Sequence, residues 1–228
     1  MKPLLTHSGR SFICLRPLRR CSMYIPGHFN ETRKEVLHAL MRTHPLGMLI
    51  THTANGLDAN HVPFELDADV GPHGLLRAHV ARANPVWKDV PDGSRVMVVF
   101  RGPQAYISPN WYPSKHEAHR QVPTWNYEVV HAHGRLRIVD DERFVRGVVG
   151  RLTRRHEAEQ AKPWKMGDAP AEYIEQMLAM IVGIEVEIDR LEGKRKLSQN
   201  KEARDVQGAI DGLRANGEDA VASAMAKG

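Results

Sequence analysis

Hydrophobic positions along this chain recur with two periods, and the change from one to the other marks out the elements. Val36, Leu37, Leu40 and Met41 fall on one helical face. Asn30 precedes them as a cap, after an extended entry at 24–29, and Pro45 closes the helix. Residues 46–53 (LGMLITHT) read as a strand. Ala54-Asn55-Gly56 reads as a turn, because Asn-Gly accepts positive φ at low cost. Residues 58–66 (DANHVPFEL) return as a second strand, where Pro63 implies an edge, a bulge or a ligand in place of a ladder partner. A turn region at 67–74 leads to a third strand at 75–81. Residues 94–101 (SRVMVVFR) form the most apolar strand, broken at Gly102-Pro103 and resumed at 105–108. Residues 126–139 have strand composition around Gly134, the mark of a long bent strand or a bulge. A helix follows at 140–156, with Phe144, Val148, Val149 and Leu152 on its apolar face, and another at 171–180. In 181–188, Ile184, Val186 and Ile188 alternate with Glu185 and Glu187, a half-buried strand. Residues 193–201 read as a basic polar loop, 202–216 as a helix and the Ala-rich remainder as weakly ordered.

Strands and helices do not alternate regularly, which excludes a doubly wound parallel sheet. The pattern fits an α+β fold with a mainly β core, a small antiparallel barrel with flanking helices.

One segment escapes both periods. Residues 107–127 (ISPNWYPSKHEAHRQVPTWNY) hold Pro109, Pro113 and Pro123, which rule out one regular helix. Trp111, Tyr112, Trp125 and Tyr127 need a surface to lie on. Two readings stand: the wall of a ligand site, or a loop clamped to the core by its own rings.

Charge changes the picture only at the N-terminus. The chain of 228 residues carries a formal charge of +5, which invites a nucleic-acid reading. Residues 1–22 hold Lys2, Arg10, Arg16, Arg19 and Arg20 and no acid, so the remainder balances at 27 basic against 27 acidic groups. This leader is expected to be a disordered or untranslated extension, with 23–228 a single domain ending in a helical tail. Cys14 and Cys21 also lie in the leader, so the body has no disulfide, thiolate metal site or cysteine nucleophile. Cytoplasmic location suits that, and no stretch is long and apolar enough for a membrane span.

Candidate chemistry is sparse. Arg82 and Asn84 sit between a strand and a short helical turn near Pro85, which fits either an anion pocket or an N-cap beside a surface arginine. His131 and His133 share a face on a strand, and His116-x-x-His119 has helical spacing. No carboxylate or cysteine completes a familiar ligand set, so these read as ordinary polar histidines and no metal is expected. Phosphate-loop, dinucleotide and nucleophile-elbow motifs are absent, and so is a helix-turn-helix. No catalytic residue is marked.

Five blocks together are specific: MYIPGHF from Met23, HVARANPVW from His79, ISPNWYPSK from Ile107, VPTWNYEVVHAHG from Val122, and IVGIEVEI…LEGKRKLSQNK from Ile181. In this order, from Met23 to about Leu213, they resemble the PaiB family, described as FMN-binding negative transcriptional regulators. That family is similar in fold to pyridoxamine-phosphate oxidases and other flavin split barrels. The resemblance implies an FMN-binding split β-barrel, with FMN at the interface of a homodimer. It implies Arg82, Asn84 and Lys115 for the phosphate, and Asn60, His61 and Val62 beside the ring. Trp125 and Asn126 would supply a wall and an amide, with Gln199 and Asn200 reaching in from the C-terminal loop. DNA binding is implied by the resemblance but not by the neutral body. An FMN-dependent oxidoreductase is the alternative, and a haem-binding split barrel a third, given twelve histidines outside the leader.

Overall fold

The computed structural model describes residues 22–227; the basic leader with both cysteines lies outside them. Strand β1 (Asn30–Glu31) is followed by helix α1 (Lys34–Thr43), which buries Leu37, His38 and Met41. Asn30 does not cap α1: it pairs with Lys194 at the sheet edge, and Arg33 occupies the cap position. The carboxylate of Glu31 instead accepts the Arg33 backbone N–H at 2.9 Å.

Strands β2 (Leu46–Thr53) and β3 (Gly56–Pro63) form the expected hairpin, with Gly56 at φ +106°. Next come β4 (Glu65–Asp67), β5 (Leu75–Ala81), α2 (Val86–Asp89) and β6 (Arg95–Ile107). Helix α3 (Pro113–Ala118) lies in the proline-rich segment, preceded by a 3₁₀ turn at Pro109–Trp111. Strand β7 (Thr124–Val139) leads to α4 (Glu142–Glu157), α5 (Ala171–Ala179) and β8 (Ile181–Lys196). Helices α6 (Ala203–Ala215) and α7 (Asp219–Ala226) complete the described chain.

The sheet runs β3-β2-β6-β7-β8-β5-β4, and every pair is antiparallel. Its two end strands are successive pieces of one chain segment, joined through Phe64 alone. The sheet therefore curls until its ends meet, and the result is a split barrel with helices at its flanks. Pro63 sits at that corner, where a missing N–H costs no ladder bond. Leu49, Phe64, Leu76, Val98, Phe100, Ala132 and Ile184 fill the interior.

Two stretches are more ordered than their composition suggests. β8 continues to Lys196, eight residues past Ile188, so much of the expected loop is strand. Its charges find partners across the strands: Arg195 meets Glu128, and Lys194 lies over the Tyr24 and Tyr127 rings. The Ala-rich tail is α7, and it buries Val221, Ala222, Ala224 and Met225 in a second core with Ile107, Tyr112, Leu197 and Leu213.

Gly134 marks the bend in β7. The β7–β8 register shifts between His133 and Gly134. A Cβ on Gly134 would lie 2.2 Å from the Glu187 carbonyl oxygen, so only glycine allows this backbone approach.

Candidate functional site

The residues singled out by sequence lie in two groups. The first surrounds the barrel seam. Asn60 on β3 and Asn84 after β5 are joined by a 2.7 Å hydrogen bond, Nδ2 of Asn84 donating to Oδ1 of Asn60. Asn84 also accepts the Val86 N–H at 2.9 Å, so it starts the short helix as well. His61 is exposed, and Val62 turns inward to the barrel core. β3 has β2 on one side only, and most of its residues are exposed.

Arg82 stands beside this seam and is fully engaged. Its guanidinium grips Asp140 through two bonds of 2.8 and 2.6 Å and donates to the Ala179 and Ile181 carbonyls. Hydrogen bonding to Arg82 lowers the pKa of the Asp140 carboxyl. The adjoining notch of about 210 Å³ is also lined by Asp141, Glu142 and Glu175. An anion taken up here must displace Asp140 or approach another side of the guanidinium.

The second group lies at the far end of β7 and β8. Trp125 is 49% exposed and meets Tyr106 across the strands, ring centroids 6.3 Å apart. Asn126 is fully buried, because neighbouring strand residues face opposite sides. Its Nδ2 donates to the Ser198 hydroxyl at 2.9 Å, while its Oδ1 is buried with no partner among the described residues. Trp125 and Asn126 thus lie on opposite sides of the sheet. Lys115 on α3 is half-buried and makes no salt bridge among the described residues. Gln199 folds back on its own turn, accepting from Leu197 N–H and donating to the Arg195 carbonyl, and Asn200 is exposed. Lys196, at the end of β8, reaches Thr124 and the Trp125 carbonyl. Burial, aided by nearby Lys194 and Lys201, lowers its pKa.

Between these groups, the outer face of the sheet carries a cleft of about 650 Å³. Ile50, Leu57 and Met97 give it apolar walls, and His131, His133 and Glu192 project into it. None of the ten residues above lines it. Glu192 joins His133 at 3.1 Å, bringing to the histidine pair a carboxylate from 59 residues further along the chain. Burial is the main cause of a lowered His131 pKa, with His133 adding to it.

Comparisons with known proteins agree with this fold. The family model described as "Putative FMN-binding domain" matches residues 23–190. An uncharacterized protein of Emericella nidulans is 33% identical over 233 residues, covering 87% of this chain and 93% of its own. The protease synthase and sporulation protein PAI 2 of Bacillus subtilis is 29% identical over 205 residues, covering 90% of this chain and 95% of its own. Among solved structures, the FAD and heme binding protein of Mycobacterium smegmatis superposes with a TM-score of 0.56 at 18% identity, covering 79% of each chain. The flavocytochrome Anf3 of Azotobacter vinelandii gives 0.50 at 14% identity, covering 73% of this chain and 69% of its own. With the family match reaching from the first strands into β8, and relatives similar over nearly their whole length, the chain belongs to the PaiB family of split-barrel FMN-binding domains.

Proposed function

We propose that this protein is a cytoplasmic homodimer that binds FMN between its two copies and acts in transcriptional regulation. The observation that carries the reading is the separation of the two residue groups along β8. Ala81, beside Arg82, pairs with Ile181 at the start of β8, and Tyr127, beside Asn126, pairs with Lys196 at its end. Fifteen residue steps of strand give a contour of about 50 Å, well beyond the span of one FMN. A twofold axis that sets the seam of one copy against the far end of the other unites the halves. Leu57, 78% exposed, and Trp125 and Tyr106, each 49% exposed, are the apolar side chains such a contact would cover.

In this arrangement Asn60, His61 and the backbone of Val62 meet the ring, and Arg82 and Asn84 meet the phosphate. Trp125, Lys115, Gln199 and Asn200 come from the partner copy, with Asn126 holding the Ser198 turn behind them. The flavin supplies the electron chemistry when bound. The regulatory part rests on the resemblance to the PaiB family, described as negative transcriptional regulators. Among the described residues, from Ser22 to Lys227, basic and acidic groups are equal at 27 each, so DNA contact would depend on patches formed by dimerisation.

Titration with FMN, followed by quenching of flavin fluorescence and by light scattering, tests this. One FMN per protomer in a dimer is expected, with Arg82→Ala weakening FMN by roughly tenfold or more, the scale of a charge-assisted hydrogen bond. Asp140→Asn separates two roles for Arg82. Binding kept or tightened means the phosphate takes the guanidinium from Asp140; binding lost in both variants means Arg82 acts by holding its loop. Absence of any flavin binding overturns the reading. Promoter DNA left unretarded at low salt removes the regulatory half, and flavin bleaching by NAD(P)H with turnover on an acceptor replaces it with oxidoreductase activity.

A further inference from the structure

The cleft on the outer face of the sheet belongs to neither half of the proposed flavin site. β7 alternates so that Val130 and Ala132 fill the barrel while His131 and His133 face outward. On β8, Glu192 pairs directly with His131. The register shift after His133 leaves Asp189 unpaired between Ile188 and Arg190, and both Asp189 and Arg190 line the cleft. One nitrogen from each histidine and one carboxylate oxygen lie within 4.8 Å of one another. Ligand atoms about 2.1 Å from a tetrahedral ion stand roughly 3.4 Å apart, so modest side-chain rotation closes the set.

We propose that His131, His133 and Glu192 bind a divalent transition-metal ion of the zinc class, with an open coordination position facing the cleft. Two imidazoles and one carboxylate are a donor set that suits such ions, and three protein ligands leave room for water or another small ligand. All three stand on adjacent paired strands, which fixes their backbones. Among the described residues, none holds the His131 ring by a hydrogen bond, so it can turn to ligate. Glu192 is oriented by two neighbours that also line the cleft: Arg190 engages Oε1, and the Met23 backbone N–H donates to Oε2 at 3.3 Å. Such outer hydrogen bonds commonly orient metal-binding carboxylates. The ion replaces the His133–Glu192 contact and leaves the Arg190 contact in place.

The test uses Co²⁺, whose visible d–d bands report coordination without reference to activity. Full-length protein stripped with a chelator is titrated with Co²⁺ and then with Zn²⁺. One Co²⁺ per chain, with intense tetrahedral bands abolished by Zn²⁺, is expected. His131→Ala sacrifices no hydrogen bond to a described residue and weakens Co²⁺ binding at least tenfold, with far-UV circular dichroism unchanged. Glu192→Gln does the same, and His52→Ala, a cleft residue outside the set, leaves binding intact. No d–d bands, or bands unaffected by His131→Ala, overturns the proposal. Bands lost on changing His116 or His119 instead place the ion on that pair and also overturn it.

Discussion

Trp111 owes its seat to two glycines, and that dependence can be measured. Gly208 and Gly212 stand one turn apart on α6, beneath Trp111. A Cβ at Gly212 would lie 2.3 Å from Cδ2 and 2.4 Å from Cγ of the Trp111 ring, and one at Gly208 would lie 2.1 Å from its carbonyl oxygen. Carbon atoms pack at roughly 3.5–4.0 Å, so Gly212→Ala drives the ring or the helix apart by more than about 1 Å. Overpacking of this kind costs about 1–3 kcal/mol. Alanine in place of glycine in a helix interior returns about 1 kcal/mol. The net effect is a loss of up to about 2 kcal/mol in the native background.

With Trp111→Ala already made, the clash is gone and only the helical preference remains. Gly212→Ala then stabilises by about 1 kcal/mol. The sign of the same substitution reverses, and the cycle gives a coupling of about 1–3 kcal/mol. Urea denaturation followed by far-UV circular dichroism measures all four proteins without relying on tryptophan emission. If Gly212→Ala has the same effect in both backgrounds, Trp111 does not occupy this slot and the seating of α6 is wrong.

Two further outcomes follow from buried polar groups. Asp205, 1% exposed, accepts from the Ser114 N–H at 3.1 Å and its hydroxyl at 2.6 Å. Asp205→Ala leaves those donors unpaired and lowers stability by about 2–3 kcal/mol in urea titration; a loss below about 0.5 kcal/mol refutes the bond. Burial lowers the pKa of both His38 and His79, and Nδ1 of His79 is buried without a partner among the described residues. Both hold the neutral form to lower pH in the fold than in the unfolded chain, which takes up protons near 6.5. Their contribution is complete above that value and is lost as pH falls through it toward the lower folded values. Urea midpoints should therefore drop between about pH 7.5 and 5.5, and His79→Gln should flatten the decline; an unchanged slope in that variant excludes His79 as a source.

What could be read from sequence depended on where each element finds its partners. β2, β5 and the first half of β8 bury one face in the barrel; in β8 the alternation of Ile184, Val186 and Ile188 with Glu185 and Glu187 carried the signal, while β2 and β5 stood out as short apolar runs between turns. Gly134 was visible as a bend because a lone glycine inside a strand pattern marks a bulge or a close approach of backbones. Asn30 was misleading, because a capping side chain and an edge-strand residue look alike until β8 is seen to run beside it. α7 was obscured by its alanines, whose use is to let two helices and the end of β6 come close. Trp125 and Asn126 were expected to supply a wall and an amide, and strand geometry sends the two side chains to opposite sides.

The second half of β8 was hidden by its charges, and the same charges bear on function. Asp189, Arg190, Glu192, Lys194, Arg195 and Lys196 resemble a solvated loop when each is taken alone. Most have their answer on a neighbouring element: Arg95 for Asp189, His133 for Glu192, Tyr24 and Tyr127 for Lys194, Glu128 for Arg195, Thr124 for Lys196. Paired charges, largely shielded from solvent, hold this length of strand, so its hydrophobic periodicity is weak where its structure is firm. Once it is strand, Glu192 must face His131 across the ladder. The carboxylate absent from the sequence around the histidines is thus supplied by the length of β8, and a change that frays its last residues should loosen the cleft before it loosens the barrel.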